Sequence, residues 1–494
     1  MTFVCHPTHE ELTMAGPTLS SPDTPRIAEL DGALDKIGVT RSHHTIIFLI
    51  LIGCLFDSFE QNAIGLVGPM LKQQWGLTTA DIGLLNTVTF ASAAIGRIVS
   101  GLVADRYGRR VMLSLDLLLF TLGAGICALA PDLTVMAIGR AIVGFGLGGE
   151  IAIAVTMLAE FCSSKFRGTA VGLVNVGAGG LGNFLAPAFG LLVFTLFPGE
   201  NSWRWLFFCL MVPALLGAFY RRYIPETPRF LLSRHKIAET NQVLSRLASG
   251  KLSGPAPEAT AWIADDGCRE QAARVKVRSM EIFQGPLARR TVPLCIAIWM
   301  TYGAQISVLT LMPTILVSLG YSMSKSLLFT MVMQSGSLLG AIAASAFGFH
   351  MPRKRVLTVG AVCACAAALA IGFVAKNIAM ILVAGAVFQF FVLLLNTTIW
   401  IFAPELYPTR VRAFGTAFIL ATGTAAGAFM PLAAGRLFDA FGLAGVFGMI
   451  AAMYAIFTIA VRTVPETYGK SPDAPLADGP EQAPVEAAAL AGRG

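Results

Sequence analysis

Twelve long apolar runs fix what this chain can fold into. They lie at about 44–70, 80–104, 110–130, 133–161, 168–195, 203–223, 291–317, 324–349, 354–374, 377–403, 411–437 and 441–463. Each approaches or exceeds the roughly 20 residues that carry an α-helix across a bilayer. Inside hydrocarbon every backbone N–H and C=O must be satisfied within the segment, so such runs read as helices. The balance of residues agrees: 55% of the chain is hydrophobic and 13% charged, against roughly 25% charged in a soluble domain. The expected fold is an all-α membrane protein of twelve transmembrane helices.

Charge then sets the orientation. The short even-numbered loops hold Arg106, Arg109, Arg110, Lys165, Arg167, Arg353, Lys354, Arg355, Arg410 and Arg412; the odd-numbered loops hold Lys72, Arg204, Lys325 and Lys376. Basic loops stay on the cytoplasmic side, which places both termini and the long central loop there. The net charge of +7 is thus an orientation signal and not a nucleic-acid footprint. The nine cysteines have no metal-ligand spacing, and several, such as Cys54, Cys127, Cys363 and Cys365, lie inside apolar runs as packing residues. The expected divisions are an N-terminal segment (1–43), a first six-helix bundle (44–223), a polar central loop (224–290), a second bundle (291–463) and a tail (464–494). Met1 to Arg41 has no apolar h-region, so no cleavable leader is expected. Two readings stand open for Ile27 to Ile37: an amphipathic helix on the membrane surface, or a solvated lead-in to the first span.

The two bundles repeat. Glu160 and Arg167 follow span 4 seven residues apart, as Glu405 and Arg412 follow span 10. Pro225-Glu226-Thr227-Pro228-Arg229 follows span 6, and Pro465-Glu466-Thr467 follows span 12. Duplication of a six-span unit explains both and predicts pseudo-symmetric halves with a site between them. Between spans 2 and 3 stands Gly101-Leu-Val-Ala-Asp105-Arg106-Tyr-Gly108-Arg109-Arg110. Its counterpart between spans 8 and 9 keeps the charge of Arg353, Lys354 and Arg355 but lacks the Asp.

That G-x-x-x-D-R-x-G-R-R pattern resembles the signature loop of the major facilitator superfamily, and the paired P-E-T motifs, with Pro404-Glu405-Leu406-Tyr407-Pro408-Thr409, resemble its sugar porter and metabolite branch. Phe56-Asp57-Ser58-Phe59-Glu60 is similar to the acidic motif of the aromatic acid/proton symporters, with Ser58 for Gly and Glu60 for Asp. Gly144-Phe-Gly146-Leu-Gly148-Gly149-Glu150 is similar to span 4 of metabolite carriers, and Tyr302-Gly303 with Pro313 to span 7 of the niacin-type group. The resemblance implies secondary active import of a small organic acid with protons, in a bacterial inner membrane, by a monomer without cofactor or resident metal. It leaves open a carrier of organic cations, sugars or drugs, or a sensor that no longer transports. ATP-binding and hydrolase signatures are absent, so no enzyme is expected.

Ionisable groups inside spans are the first candidates for mechanism, because leaving one unpaired in hydrocarbon is costly. Three acids, Asp57, Glu60 and Glu150, stand against Arg97 and Arg140. Asp57 and Glu60, three residues apart, share a helix face. The resemblance to proton-coupled sugar porters implies that Glu60 faces Arg140 as a proton switch; a static ion pair is the other reading. Glu150 is either a cavity residue or a partner for a polar group nearby. Arg97 either anchors a substrate carboxylate, as a guanidinium can, or pairs with one of the acids. Trp299, Tyr302, Gln305, Gln334, Gln389 and Asn396 are the remaining candidates for substrate contact, with Trp400 a candidate for either the site or the interfacial belt. Asn175 and Asn183 suit contacts across helices as well as a site. By resemblance Gly101, Asp105, Arg106, Gly108, Arg109, Glu160, Arg167, Glu405 and Arg412 form a cytoplasmic latch.

Overall fold

The computed structural model describes residues 24–212, 214–253, 258, 260–264, 279–347, 351–407 and 409–467. Among the described residues ten helices are long and apolar enough to cross a membrane. The twelve-span arrangement accounts for all of them. Spans 1–4 are Arg41–Trp75, Thr79–Tyr107, Arg109–Leu129 and Leu133–Phe161. Span 5 runs through Ser164–Asn175, Val176–Gly182 and Asn183–Leu196. Span 6 is split into Ser202–Cys209 and Ala214–Tyr223, each too short alone; Pro213, which lacks an N–H, falls between them. Spans 7–10 are Gly285–Ser318, Met323–Phe347, Arg353–Leu369 with Ala370–Val374, and Ile378–Glu405. Spans 11 and 12 form the continuous stretch Thr409–Thr463, broken at Gly442. There φ is 61° and ψ −148°, a conformation that glycine adopts at little cost.

Close approach of helix backbones builds each half. Span 4 lays Gly144 and Gly148 against the backbones of Thr89 and Ala93 on span 2, while Gly96 of span 2 meets Phe145. Span 8 does the same with Gly336 and Gly340 against Ala386 and Phe390 of span 10. Small residues let helices approach where lipid supplies no hydrophobic drive. In the charged turn, Gly108 has φ +108° and a Cβ there would meet Glu226. Gly101 behaves differently from the expectation of close packing: a Cβ would meet nothing within 4 Å.

The halves meet along spans 1 and 7, 2 and 11, and 5 and 8. Away from the charged loops this seam is tight. A Cβ on Gly83 would lie 2.6 Å from the Pro431 carbonyl oxygen, and one on Gly435 2.8 Å from that of Thr79. The Ala80 N–H donates to Asp439 at 3.1 Å. Toward the charged loops a Cβ on Gly172 would lie 4.0 Å from the Ser345 hydroxyl.

Two stretches read as loop or surface are structured. Thr24–Ile37 is a helix, but it packs on protein: Leu30, Ala33 and Leu34 are buried with Ile237, Leu244 and Leu247. Arg229 bonds Asp31 at 2.6 Å. The central loop contains helices Pro228–Ser233 and Ile237–Ser249 and a 3₁₀ turn, Ser279–Phe283. The second helix has an apolar face (Ile237, Val243, Leu244, Leu247) that covers the end of the first bundle.

Candidate functional site

Two adjoining cavities open between the halves, of about 70 and 60 Å³. Both are lined by Gln61, Ile151, Tyr302, Ile306 and Trp400. The larger adds Gln305, Asn396, Asn175, Asn183 and Ser58; the smaller adds Arg97, Phe90 and Thr424. Trp400 donates its indole N–H to the Tyr302 hydroxyl at 3.1 Å, and both line the two cavities. Asn396 donates to Gln305 at 2.5 Å, while its own carbonyl oxygen has no hydrogen-bond partner. Asn175 reaches Thr397 across the seam at 3.0 Å. Asn183 accepts from Asn62 at 2.9 Å.

Arg97 lines the smaller cavity. Its Nε donates to the Gly148 carbonyl at 3.3 Å and its Nη1 to the Leu420 carbonyl at 3.2 Å, so it bridges spans 4 and 11. Both acceptors are neutral. Among the described residues none of the acids forms an ion pair with Arg97.

The acids are instead gathered inside the first bundle. Glu60 and Arg140 form an ion pair with neither side chain exposed. Arg140 also donates through Nε to Thr89 at 3.0 Å, and its Nη2 reaches the Glu60 carbonyl at 3.4 Å. The second Glu60 oxygen has no partner. Glu150 reaches span 1, where a Cβ on Gly53, one turn before Asp57, would lie 2.8 Å from its Oε1; one carboxyl oxygen each of Asp57 and Glu150 has no hydrogen-bond partner. Sequence reasoning missed a fourth acid, Asp116 of span 3. It is fully buried and accepts from Ser100 at 3.0 Å. An aspartate inside an apolar run was the signal that could have found it. Gln61, beside Glu60, was missed in the same way.

Other candidates lie elsewhere. Trp299 stacks on the exposed ring of Phe429 with centroids 5.8 Å apart, away from the residues lining either cavity. Gln334 and Gln389 are buried around Ser337, at 2.6 and 3.5 Å from its hydroxyl, and do not line the two cavities.

At the charged-loop face the two halves carry the same construction twice. Glu226 accepts from the backbone N–H of Arg109 at 2.9 Å and of Arg110 at 3.3 Å, capping the start of span 3. Glu466 accepts from Arg353 at 3.1 Å and Lys354 at 3.0 Å, capping span 9. A carboxylate suits a helix N-terminus through its free N–H groups and its dipole. Arg109 then reaches Glu160 at 3.5 Å, and Arg353 reaches Glu405 at 3.1 Å. Thr227 and Thr467 close the two circuits by donating to Glu160 at 2.5 Å and to Glu405 at 2.6 Å. Burial pushes the Glu226 carboxyl above the usual range, against the pull of its backbone hydrogen bonds and of Arg109. Asp105 pairs with Arg109 at 3.0 Å but is 73% exposed, and such pairs contribute little. Arg106 stacks over Tyr107 at 5.5 Å. Arg412 donates to the Tyr407 carbonyl at 3.2 Å. The Arg167 side chain lies outside the described residues. Glu226, Thr227, Glu466 and Thr467 were visible only as repeated motifs, since sequence does not show which helix start they cap.

Comparison with known proteins agrees with this geometry. Residues 42–473 match the family model described as sugar (and other) transporter. The chain is 27% identical over 445 residues to the niacin transporter NiaP of Acinetobacter baylyi, covering 90% of this chain and 98% of that one. It is 28% identical over 406 residues to a gallate transporter of Pseudomonas putida, covering 79% and 85%. It is 27% identical over 399 residues to the 4-hydroxybenzoate transporter PcaK of A. baylyi, covering 76% and 81%. Among solved structures, the partially occluded inward-open xylose transporter XylE from E. coli superposes with a TM-score of 0.70 at 18% identity, covering 87% of this chain and 99% of that chain. The chain belongs to the sugar (and other) transporter family and has the twelve-helix major facilitator fold of a multi-pass membrane carrier.

Proposed function

We propose that this protein carries a small aromatic carboxylate across the membrane together with a proton, by alternating access of a site between its halves, and that both termini lie in the cytoplasm. The observation that carries the reading is Arg97: a cation in the central cavity whose bonds go to two neutral carbonyls. A charge held in a low-dielectric site without a counter-ion favours binding an anion there. Beside it, Tyr302, Trp400 and Phe90 offer ring faces, and Gln61, Gln305 and Asn396 offer amides. That combination suits a flat molecule with one carboxylate and further polar edges. Niacin, gallate and 4-hydroxybenzoate, in the names of the similar carriers, are of this kind. None of the four buried acids lines either cavity, so an organic cation would meet Arg97 before any acid. The buried Glu60–Arg140 pair supplies the proton site: protonating Glu60 removes the attraction that holds spans 1 and 4 in one arrangement.

Nicotinate and nicotinamide differ at the group that Arg97 would recognise. Purified protein in liposomes should bind and accumulate nicotinate in preference to nicotinamide. Arg97→Gln should lower the affinity for nicotinate about 10- to 150-fold, as expected for a charge-assisted hydrogen bond of about 1.5–3 kcal/mol, and leave that for nicotinamide near its starting value. Equal loss for both compounds, or no loss for either, would remove Arg97 as the carboxylate anchor.

A further inference from the structure

Glu60 and Arg140 lie deep in the first bundle, and a proton bound there needs a way out. The buried acids are spaced along one direction. Asp57 precedes Glu60 by one helical turn toward the charged-loop face. Glu150 follows Arg140 by ten residues toward the same face, about 15 Å along span 4. Asp116 stands seven residues into span 3 from Arg109, about 10 Å from the charged loops. Glu150 lies against span 1 at Gly53, one turn before Asp57. Asp116 turns one oxygen to Ser100, and the other, which has no hydrogen-bond partner, lies against Gly149, the residue beside Glu150. A Cβ on Gly149 would collide with both Asp116 and Ser100, so glycine at this position is what admits the carboxyl next to span 4.

We propose that Asp116 is the last protein station of a proton route that runs from Glu60 through Asp57 and Glu150 toward the charged-loop face. This rests on the proton-coupled reading above. In each step the O–H bond of one carboxyl breaks, its electron pair stays on that oxygen, and the proton forms a new O–H bond on the next carboxylate. No oxidant or second reactant is consumed. Between successive carboxyls a side-chain rotation or one intervening water closes the gap. Among the described residues the groups facing the route are in the first bundle: Cys54, Asp57 and Glu60 from span 1, Ser100 from span 2, Asp116 from span 3, Arg140 and Glu150 from span 4 and Tyr220 from span 6. Tyr220 and Glu150 both press on Gly53, and Tyr220 donates to the Leu49 carbonyl at 3.0 Å. Neither Arg97 nor the central cavity takes part, so the proton and the carboxylate travel by separate paths.

The test uses the full chain in liposomes with nicotinate as probe, comparing Asp116→Asn with wild type and Asp116→Glu. Accumulation driven by one pH unit should fall from about tenfold to about onefold in Asp116→Asn, while nicotinate counterflow at equal pH stays within about twofold and Asp116→Glu recovers accumulation. Wild-type accumulation in Asp116→Asn overturns the proposal. So does loss of counterflow and accumulation together in a variant of unchanged thermal stability, which would make Asp116 a conformational residue. If Asp116→Asn does not fold, Ser100→Ala replaces it: a moved pH profile of uptake supports the route and an unmoved one overturns it. Absence of pH-driven accumulation in wild type would instead refute the coupled reading on which the route depends, so the two failures are told apart.

Discussion

Replacing Glu60 by Gln separates a proton switch from a structural ion pair. The pair is completely buried, and removing one partner of such a pair typically costs about 3–5 kcal/mol because the other charge is left uncompensated. Here the loss is blunted. Gln keeps an acceptor for Arg140, and the Arg140 bonds to Thr89 and to the Glu60 carbonyl remain. Gln also imitates the protonated acid, a state that a working symporter must visit in every cycle. A switch therefore predicts a folded variant that exchanges substrate but does not concentrate it. For one proton per monocarboxylate, one pH unit supports about tenfold accumulation, since about 1.4 kcal/mol corresponds to a factor of ten. The Glu60→Gln variant should fall to about onefold under the same gradient. Its counterflow of nicotinate at equal pH should persist. The assay is radiolabelled uptake into liposomes, inside neutral and outside acidic, beside counterflow and thermal unfolding of the same preparation. A static pair predicts a different set: lower stability, parallel loss of both transport modes, and recovery of both in Glu60→Gln/Arg140→Gln. That recovery, or undiminished tenfold accumulation in the single variant, would refute the switch.

Further expectations concern packing and the charged-loop circuits. In Gly148→Ala the new Cβ would stand 2.7 Å from the Ala93 carbonyl carbon; overpacking of this kind costs about 1–3 kcal/mol. Because the Gly148 carbonyl also holds Arg97, thermal stability and nicotinate affinity should fall together, whereas Gly101→Ala, at a position with open space, should leave both unchanged. At Glu226 the folded state holds the carboxyl above its ordinary range. Such a group binds more protons folded than unfolded, so its contribution to stability is complete below the unfolded value near 4.3 and is lost as pH rises through the raised folded value. Thermal unfolding followed from pH 4 upward should show that decline, and Glu226→Gln should flatten it.

Much of the architecture was legible because hydrocarbon imposes length and apolarity on every span. What escaped the sequence escaped for physical reasons. The fused pair of spans 11 and 12 depends on local geometry at Gly442, which hydropathy does not register. The apolar spacing of Ile27 to Ile37 was compatible with a lipid surface, and the stretch that forms Ile237–Ser249 read only as part of a polar loop. They pack against each other instead, an outcome that needs the partner surface to be known. Among site residues, the resemblance paired Glu60 with Arg140, and the geometry has them in contact. Arg97 was left between a substrate carboxylate and one of three acids, and its bonds go to carbonyls and to none of those acids. Trp299 misled because an aromatic in span 7 faces lipid or cavity according to a rotation of 100° per residue, and it turns toward Phe429.

The two halves share a backbone plan but not a chemistry, and this difference follows from what each has to do. Spans 2 and 4 and spans 8 and 10 interlock through equivalent glycines, and the Glu226 and Glu466 circuits match residue for residue. Within the membrane the match ends. The first half buries Asp57, Glu60, Asp116, Arg140 and Glu150. The second contributes Tyr302, Gln305, Asn396 and Trp400 to the cavity. Fixed charge is tolerable in hydrocarbon only where partners are preorganised around it, so a cluster of acids is better confined to one rigid bundle than divided across a seam that must open. Polar but neutral amides and rings tolerate that opening, since losing one contact to water costs them little. Arg97 is the exception that joins the two systems: it sits on span 2 of the charged half yet bonds Leu420 of the other half. An anion bound to that guanidinium would compete with the Leu420 carbonyl, and occupancy of the site would thereby loosen one tie between the bundles. Substrate arrival and the freedom to rock would then be one event, which is what an alternating-access carrier requires of its binding residue.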